Sequence, residues 1–314
     1  MDILLTGAFG NIGSMLLDEL LTRGHHVTAF DLKNRANKAV QARYSERIDT
    51  AWGDICNNES IRRHVSNKDA IVHLAAVIPP MTETHPEIAQ RINIGGTRNL
   101  LELAGESASK PVVVFTSSFA VWGHTQTLPP PRTAQCPLVT TDNYSRHKIE
   151  CEQLVRSQVS PWVILRIGAC FDIRNRHIKK DSIRMMLDTD ANSRIEYIHP
   201  ADVATAIANA IERKEAHNQV HLIGGGKSCQ ITQMEMINTL LGAAGFKLRK
   251  EDFGSQPFYS DWMDTSESQR VLEFQNNSFR DLRDELFESL KYIRPLVKPV
   301  SRIASRGFVK WVRS

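Results

Sequence analysis

The chain of 314 residues carries 39 Lys and Arg against 35 Asp and Glu, a formal net charge of +4, with 41% hydrophobic and 24% charged residues. This is the balance of a soluble globular protein with core enough for one large or two interleaved domains. Five scattered cysteines with no CxxC pair exclude a disulfide framework, suit a reducing compartment and, with eleven dispersed histidines, predict no metal site.

The chain opens directly into a strand at 2–6, without a basic leader, and nowhere approaches the roughly eighteen uninterrupted apolar residues of a spanning helix. The expected location is therefore cytoplasmic. Gly7, Gly10, Asn11, Ile12 and Gly13 follow that strand and begin a helical pattern over Ile12–Arg23. Glycines in this context let the backbone turn tightly and approach a pyrophosphate, which rests on the free N–H groups of the helix start. The second strand, 26–31, ends in Asp31, 18 residues after Gly13. A carboxylate there accepts from both adenosine ribose hydroxyls and repels a 2′-phosphate, so the reading is NAD; Lys33 and Arg35 keep NADP as the lesser alternative. After a third strand at 48–52, Asp54 of Gly53-Asp54-Ile55 is placed to reach the adenine, with a helix N-cap as its competing role.

Strands at 69–75 and 111–117, a helix over Glu87–Ala104 between them, and a further helix over Asn143–Val159 continue the alternation. Strands follow at 161–167, 194–198 and 219–223, with a helix over Ala201–Arg213. Strand and helix alternating in this way predict an α/β fold, a Rossmann doubly wound parallel sheet covered on both faces. Residues 1–168 form the expected dinucleotide-binding domain, with sheet-completing returns near 194–223. A smaller substrate lobe takes 169–193 and 226–290, and 291–314 is a basic tail. Ile78-Pro-Pro-Met81 and Leu128-Pro-Pro-Pro-Arg132 are proline-rich loops expected to line a site.

Ser118 closes the fifth strand, at the carboxyl edge where doubly wound sheets hold ligands. Tyr144 and Lys148, four apart, lie on one face of the helix that follows. A free phenol has a pKa of about 10, too high for base chemistry near neutrality. A nearby ammonium is expected to lower it, and a serine hydroxyl to hold the reacting oxygen. Cys151 is expected to pack and His147 to face solvent.

These residues resemble the extended short-chain dehydrogenase/reductase family, which includes nucleotide-sugar epimerases and dehydratases. The resemblance spans roughly residues 1–290: Thr6-Gly-x-x-Gly-x-x-Gly13, Gly53-Asp-Ile55, His73-Leu-Ala-Ala76, Asn93-Ile-Gly-Gly-Thr97, Thr116-Ser-Ser-Phe-Ala-Val-Trp-Gly123, Tyr144-x-x-x-Lys148 and Leu165-Arg-Ile-Gly168. It implies that Leu74, Ala75 and Ala76 border the cofactor, that Asn93 supports the site, that Lys148 also holds the nicotinamide ribose, and that Ser118 rather than Ser117 is the site hydroxyl. Phe119-Ala120 stand where the family's dehydratases carry an acidic pair, which argues against dehydration. Trp122, Ala169 and Asp172 replace a usual tyrosine, asparagine and glycine and weaken a nucleotide-sugar assignment; Arg174, Arg176, Lys179, Lys180 and Arg184 would suit a phosphate, with a solvated basic loop as the alternative.

The tail holds seven basic residues and no acid, so the first 290 residues carry −3. Its basic residues, among them Arg294, Lys298 and Arg302, and its apolar residues, Ile293, Val297, Val300, Ala304, Phe308 and Trp311, segregate on opposite helical faces, with a start near Pro299. Expected partners are a small-molecule substrate, a membrane surface met peripherally through 299–314, and a second copy as a homodimer; no nucleic acid is expected, since the body is not basic. Docking of the tail on the protein is the alternative to the membrane. Three functions stand: an NAD(P)-dependent oxidoreductase or epimerase-like enzyme on a secondary alcohol or ketone, sugar derivatives included; a dehydrogenase of a membrane-borne sterol- or isoprenoid-like alcohol; and a non-catalytic NAD(P)-sensing protein.

Overall fold

The computed structural model describes residues 1–44, 46–171, 180–292 and 301–313. Seven strands, β1 (Asp2–Thr6), β2 (His26–Asp31), β3 (Asp49–Trp52), β4 (Ala70–His73), β5 (Val112–Ser118), β6 (Trp162–Ile167) and β8 (Gln219–Ile223), form one parallel sheet. Their order is β3-β2-β1-β4-β5-β6-β8, so the chain reverses direction across the sheet between β1 and β4. Such a switch point opens a crevice at the carboxyl ends of the strands.

The near-continuous apolar runs follow from burial on both faces. Ile3, Leu5, Val72 and Val114 pack with Leu16 and Leu20 of α1 (Asn11–Thr22) and Ile207 of α9 (Pro200–Glu212). Their strand neighbours Leu4, Ile71, Val113 and Ile164 point to the other face. There they meet Ile61 of α3 (Asn58–Val65), Leu101 of α6 (Gly96–Glu106) and Val155 of α7 (Asn143–Gln158). The period-two alternation of strand side chains divides one apolar run between two cores.

Two elements depart from expectation. The segment at 194–198 does not complete the main sheet: β7 (Arg194–Glu196) pairs antiparallel with β9 (Gln230–Thr232) in a separate two-stranded sheet. The cause lies in Glu196, whose fully buried carboxylate needs donors that a sheet flank lacks. It accepts from the Met263 N–H at 2.7 Å, the Gly226 N–H at 3.0 Å and Gln230 Nε2 at 3.0 Å, all from the C-terminal part of the chain. The helix expected over 87–104 is interrupted by a π turn, Arg91–Gly95, between α5 (Pro86–Gln90) and α6. Single π turns inside helices reset the direction of one side chain; here the residue within the turn is Asn93.

The tail forms α13 (Ser301–Arg313) and docks on the protein. Val309 and Val312 are buried with Leu187 of α8 (Lys180–Asp188), Ile237 of α10 (Gln233–Gly242), Leu248 and Phe253, while the Phe308 ring lies 4.9 Å from that of Phe246. The described part of the apolar face read as lipid-facing is thus largely turned onto protein, because a ready apolar seat exists there. The expectations placed on Ile293, Arg294, Val297, Lys298, Pro299 and Val300, on the side chains of Arg302 and Ala304, and on Asp172, Arg174, Arg176 and Lys179 fall outside the described residues. Asp261, fully buried, accepts from Arg194 Nε at 2.6 Å and Thr125 Oγ1 at 2.7 Å and lies 3.5 Å from Arg132 Nε. The proline-rich loop ending at Arg132 is therefore tied to the C-terminal part of the chain.

Candidate active site

The glycine turn lies at the mouth of the switch-point crevice. Gly7 has φ +69°, and a Cβ there would come within 2.8 Å of the Ala75 backbone nitrogen. A Cβ on Gly13 would stand 2.3 Å from the Gly7 carbonyl oxygen. Only glycine permits this approach of the first turn to β4's exit. Gly10 precedes α1 with no side chain to cap it, which leaves the first-turn amides of Asn11, Ile12 and Gly13 for an anion. Asp31 accepts from the Phe9 N–H at 2.9 Å, the Leu32 N–H at 2.8 Å and Asn37 Nδ2 at 3.0 Å. Burial nevertheless pushes its carboxyl above the usual carboxylate range. The turn and Asp31 are therefore one hydrogen-bonded unit.

The remaining cofactor candidates border the same crevice. Asp54 does not cap α3; Asn57 does, and Asp54 accepts instead from the Cys56 N–H at 2.9 Å. Ile55 is buried against Gly96. Leu74 donates its N–H to the Thr6 carbonyl at 3.2 Å, Ala75 lies under Gly7, and Ala76 is exposed beside them. From the π turn, Asn93 holds the next residue with both ends of its amide: Oδ1 accepts from the Val77 N–H at 2.7 Å and Nδ2 donates to the Val77 carbonyl at 2.8 Å.

Ser118, Tyr144 and Lys148 converge at the end of β5. Ser118 Oγ accepts from the Ala120 N–H at 3.2 Å and hydrogen-bonds the Tyr144 hydroxyl. Lys148 is buried; its Nζ donates to the Thr116 carbonyl at 2.6 Å and lies 5.9 Å from the centre of the Tyr144 ring. The expected acidification of the phenol is not found. Burial pushes Tyr144 up to about 12, against the lowering effect of the Ser118 hydrogen bond and with the Asp142 carboxylate adding to the rise. Part of the ring remains exposed, yet the phenol's surroundings are densely packed. Lys148 itself is brought down to about 8 by burial, with Cys151 and Glu152 acting in the opposite sense. Its ammonium is spent on a carbonyl rather than on the phenolic oxygen. In the protein alone Tyr144 is thus a proton donor.

Three supports hold this group. At the start of α7, Asp142 and Ser145 form a capping box, and Glu83 of the short helix α4 (Met81–Thr84) accepts from the N–H groups of Asn143 and Tyr144, each at 3.3 Å. Deeper, Glu152 and Arg166, each 1% exposed, pair through both carboxylate oxygens at 2.9 and 2.8 Å, and Ser117 Oγ donates to the same carboxylate at 2.7 Å. This joins α7, β5 and β6 directly behind Ser118. Behind Lys148, buried His73 is brought down to about 3 by its burial and by that ammonium. The Thr97 hydroxyl donates to the Asn93 carbonyl, so His73 Nε2 carries the proton and donates to Thr97 at 2.9 Å, while Nδ1 accepts from Thr6 at 2.8 Å. Cys151 packs as expected. His147 does not face solvent: it is fully buried, with Nδ1 3.3 Å from Asn93 Nδ2. His217 and His221 are four apart, but they straddle the start of β8, where Nε2 of His221 faces the Ala216 carbonyl at 3.2 Å.

Residues 3–224 match the model of the NAD dependent epimerase/dehydratase family. The chain belongs to this family. As a member it is an NAD-dependent enzyme, and NAD is its cofactor. Among curated relatives, a 3-beta-hydroxysteroid dehydrogenase of Mycolicibacterium neoaurum is 32% identical over 162 residues, half of this chain and 43% of that protein. A D-erythronate dehydrogenase of Cupriavidus necator is 32% identical over 135 residues, covering 39% and 40% of the two chains. The matches thus span less than half of these relatives. An uncharacterized UDP-glucose epimerase of Bacillus subtilis, YtcB, is 25% identical over 94% of this chain and 99% of its own. A UDP-glucuronic acid 4-epimerase of Bacillus cereus, solved with UDP-glucuronic acid and NAD, superposes with a TM-score of 0.74 at 23% identity, over 94% of this chain and all of that one. The UDP-glucose 4-epimerase of Bifidobacterium longum gives 0.76 at 19%, over 94% and 99%. At these identities the solved structures establish the shared fold.

Two site residues escaped the reading of the family motifs. Glu152 was visible in principle, since Tyr144, Lys148 and Glu152 continue one line of four-residue steps along α7. Glu83 carried no signal, because it is 60 residues from the amides it accepts from.

Proposed function

We propose that the protein is an oxidoreductase acting on a secondary alcohol or its ketone, with Tyr144 as the proton donor and acceptor for the reacting oxygen. The observation that carries this reading is the meeting of the Ser118 and Tyr144 hydroxyls beside buried Lys148 at the carboxyl edge of β5. NAD supplies the hydride acceptor or donor when bound. Gly7, Gly10, Asn11, Ile12 and Gly13 hold its pyrophosphate in this reading, Asp31 its adenosine ribose, and Asp54 and Ile55 border the adenine. Leu74, Ala75 and Ala76 line the crevice, and Asn93 fixes the backbone that follows them. Ser118 holds the substrate oxygen; Tyr144 gives that oxygen a proton as the ketone becomes an alcohol and takes it back in reverse. Lys148 would also hold the nicotinamide ribose hydroxyls of the bound cofactor, and it keeps a positive charge behind the pair. Retention of all three groups counts against a sensor without chemistry.

A specific observation favours an apolar alcohol over a sugar derivative. Ile78 and Met81, on the turn tied to α7 through Glu83, are exposed, as are Leu138 and Val139. Val139 donates to the Val121 carbonyl at 2.8 Å and packs at Gly123, just beyond Ser118. The stacked pair Phe258 and Tyr259 adds two rings to this apolar collar, with Tyr259 near enough to Asp142, Tyr144 and Glu83 to feel their charge. Exposed apolar groups gathered at a site mark an apolar partner. The hydroxysteroid dehydrogenase relative supports this reading, and the epimerase relative of matching length supports the sugar. A panel of hydroxysteroids, isoprenoid alcohols, sugar acids and UDP-sugars, followed by NADH absorbance and by product analysis for redox-neutral epimerisation, separates them. Turnover of UDP-sugars alone would reject the apolar alcohol.

Two further outcomes are expected. Asp31→Asn keeps the side chain's size and removes its charge, and should improve NADP binding relative to NAD by about tenfold, read by fluorescence titration of both cofactors. With Lys148 near 8, kcat/KM should fall as pH rises through about 8, where the ammonium is lost. Lys148→Arg should move that limb to higher pH; an unmoved limb would assign it to another group.

A further inference from the structure

The tail's charge has no role in the chemistry above. Residues 291–314 carry seven cations and no acid, on a body of −3. In α13 the inward residues are Phe308, Val309 and Val312, whereas Arg306, Lys310 and Arg313, spaced by four and three, share the exposed face. The Lys247 N–H donates to Ser305 Oγ at 3.0 Å, which brings exposed Lys247, Arg249 and Lys250 alongside, and the Arg313 guanidinium donates to the Asp252 carbonyl at 3.1 Å. Acids nearby among the described residues include Glu251 and Asp252, and Asp181 next to Lys180; the Asp252 carboxylate accepts from the Arg249 N–H at 2.8 Å. Trp311 is 53% exposed, with the Lys180 ammonium 5.1 Å from the centre of its ring.

We propose that this outward cationic face of α13, flanked by Trp311, is a docking surface for an anionic lipid bilayer. The helix lies along the protein with its apolar side seated on α8 and α10, and presents its basic side to the headgroups. This is the reverse of the orientation that amphipathicity alone suggests. Charge complementarity selects the occupant: several cations converge on one surface of an otherwise acidic body, each adding about fivefold to affinity for an anionic membrane. A half-exposed tryptophan at the flank of this face, against Lys180, suits the headgroup region, where one edge of the indole is wet and its body apolar. Phe253 belongs to the apolar seat of α13 and is six residues before Tyr259. Six residues span at most about 20 Å, so the seat of α13 lies within about that distance of Tyr259. Delivery of substrate from the bilayer rests on the apolar-alcohol reading; the contact itself does not.

The test is co-sedimentation of the full chain with phosphatidylcholine vesicles, with and without phosphatidylglycerol. Binding is expected only with the anionic lipid, weakening as salt is raised. Combined Arg306→Glu, Lys310→Glu and Arg313→Glu should weaken partitioning by about a hundredfold or more, and Trp311→Ser by several-fold, with the thermal midpoint and NAD affinity unchanged in both. The proposal is overturned by equal binding to neutral and anionic vesicles, by no binding to anionic vesicles at low salt, or by full binding of the folded charge-reversed variant. Duplex DNA bound as tightly as the anionic vesicles would also overturn it. Vesicle binding needs no turnover, so its failure and the failure of the proposed reaction are read separately.

Discussion

Glu152→Ala is expected to lower the unfolding free energy by about 3–5 kcal/mol, a large part of the stability of an ordinary domain. Arg166 is as buried as Glu152 and sends two of its nitrogens to that carboxylate. Its third, NH1, donates to the Ala134 carbonyl at 2.9 Å, which cannot neutralise it. Truncation therefore strands a guanidinium in the interior and also leaves the Ser117 hydroxyl without its acceptor. Arg156, 3.6 Å from the same carboxylate and partly exposed, regains water and does not compensate. Urea unfolding measures the loss. Replacing both partners by methionine should recover most of it, because the cost belongs to the unpaired charge rather than to the missing attraction. A Glu152→Ala protein as stable as the parent would mean that water reaches Arg166, and the clamp would no longer explain how α7 is held against β5.

The contrast between legible and hidden features follows from range. Glycines at 7, 10 and 13, and the Tyr144–Lys148 pair, are local patterns, and a local pattern determines a turn or a shared helix face wherever it occurs. The central strands, β1, β4, β5 and β6, are readable because burial on both faces forces near-continuous apolar sequence. The pKa of Tyr144 was not readable. Its direction depends on how densely distant segments pack around the phenol and on Lys148 turning to the Thr116 carbonyl, neither of which four-residue spacing encodes. His147 shows the same limit: one turn of helix places it against Asn93, and only the tertiary arrangement makes that side the interior. β7 was misassigned because a three-residue strand is defined by what its one buried charge must find, here donors between Gly226 and Met263.

Tyr144→Phe is expected to reduce kcat by about 10²–10⁴-fold while leaving NAD affinity and the thermal midpoint near those of the parent. The substitution removes one oxygen. The ring remains, and Ser118 keeps its bond from the Ala120 N–H, so the fold loses one hydrogen bond at the site. What disappears is the hydroxyl proposed to move the proton at the oxygen assigned to Ser118; Phe119 and Ala120, next along, have none to give. Because burial holds the phenol near 12, reduction of a ketone is the direction in which the free protein is already correctly protonated. Alcohol oxidation requires the proton to leave, so the variant's deficit should be severe in both directions, while the parent's pH dependence should differ between them. Single-turnover measurement of NADH consumption and formation resolves the two. If turnover by the phenylalanine variant equals that of the parent, Tyr144 does not carry the proton. The chemistry would then have to be sought in another hydroxyl at this edge of the sheet, with Tyr259, across the collar, as the residue to replace next.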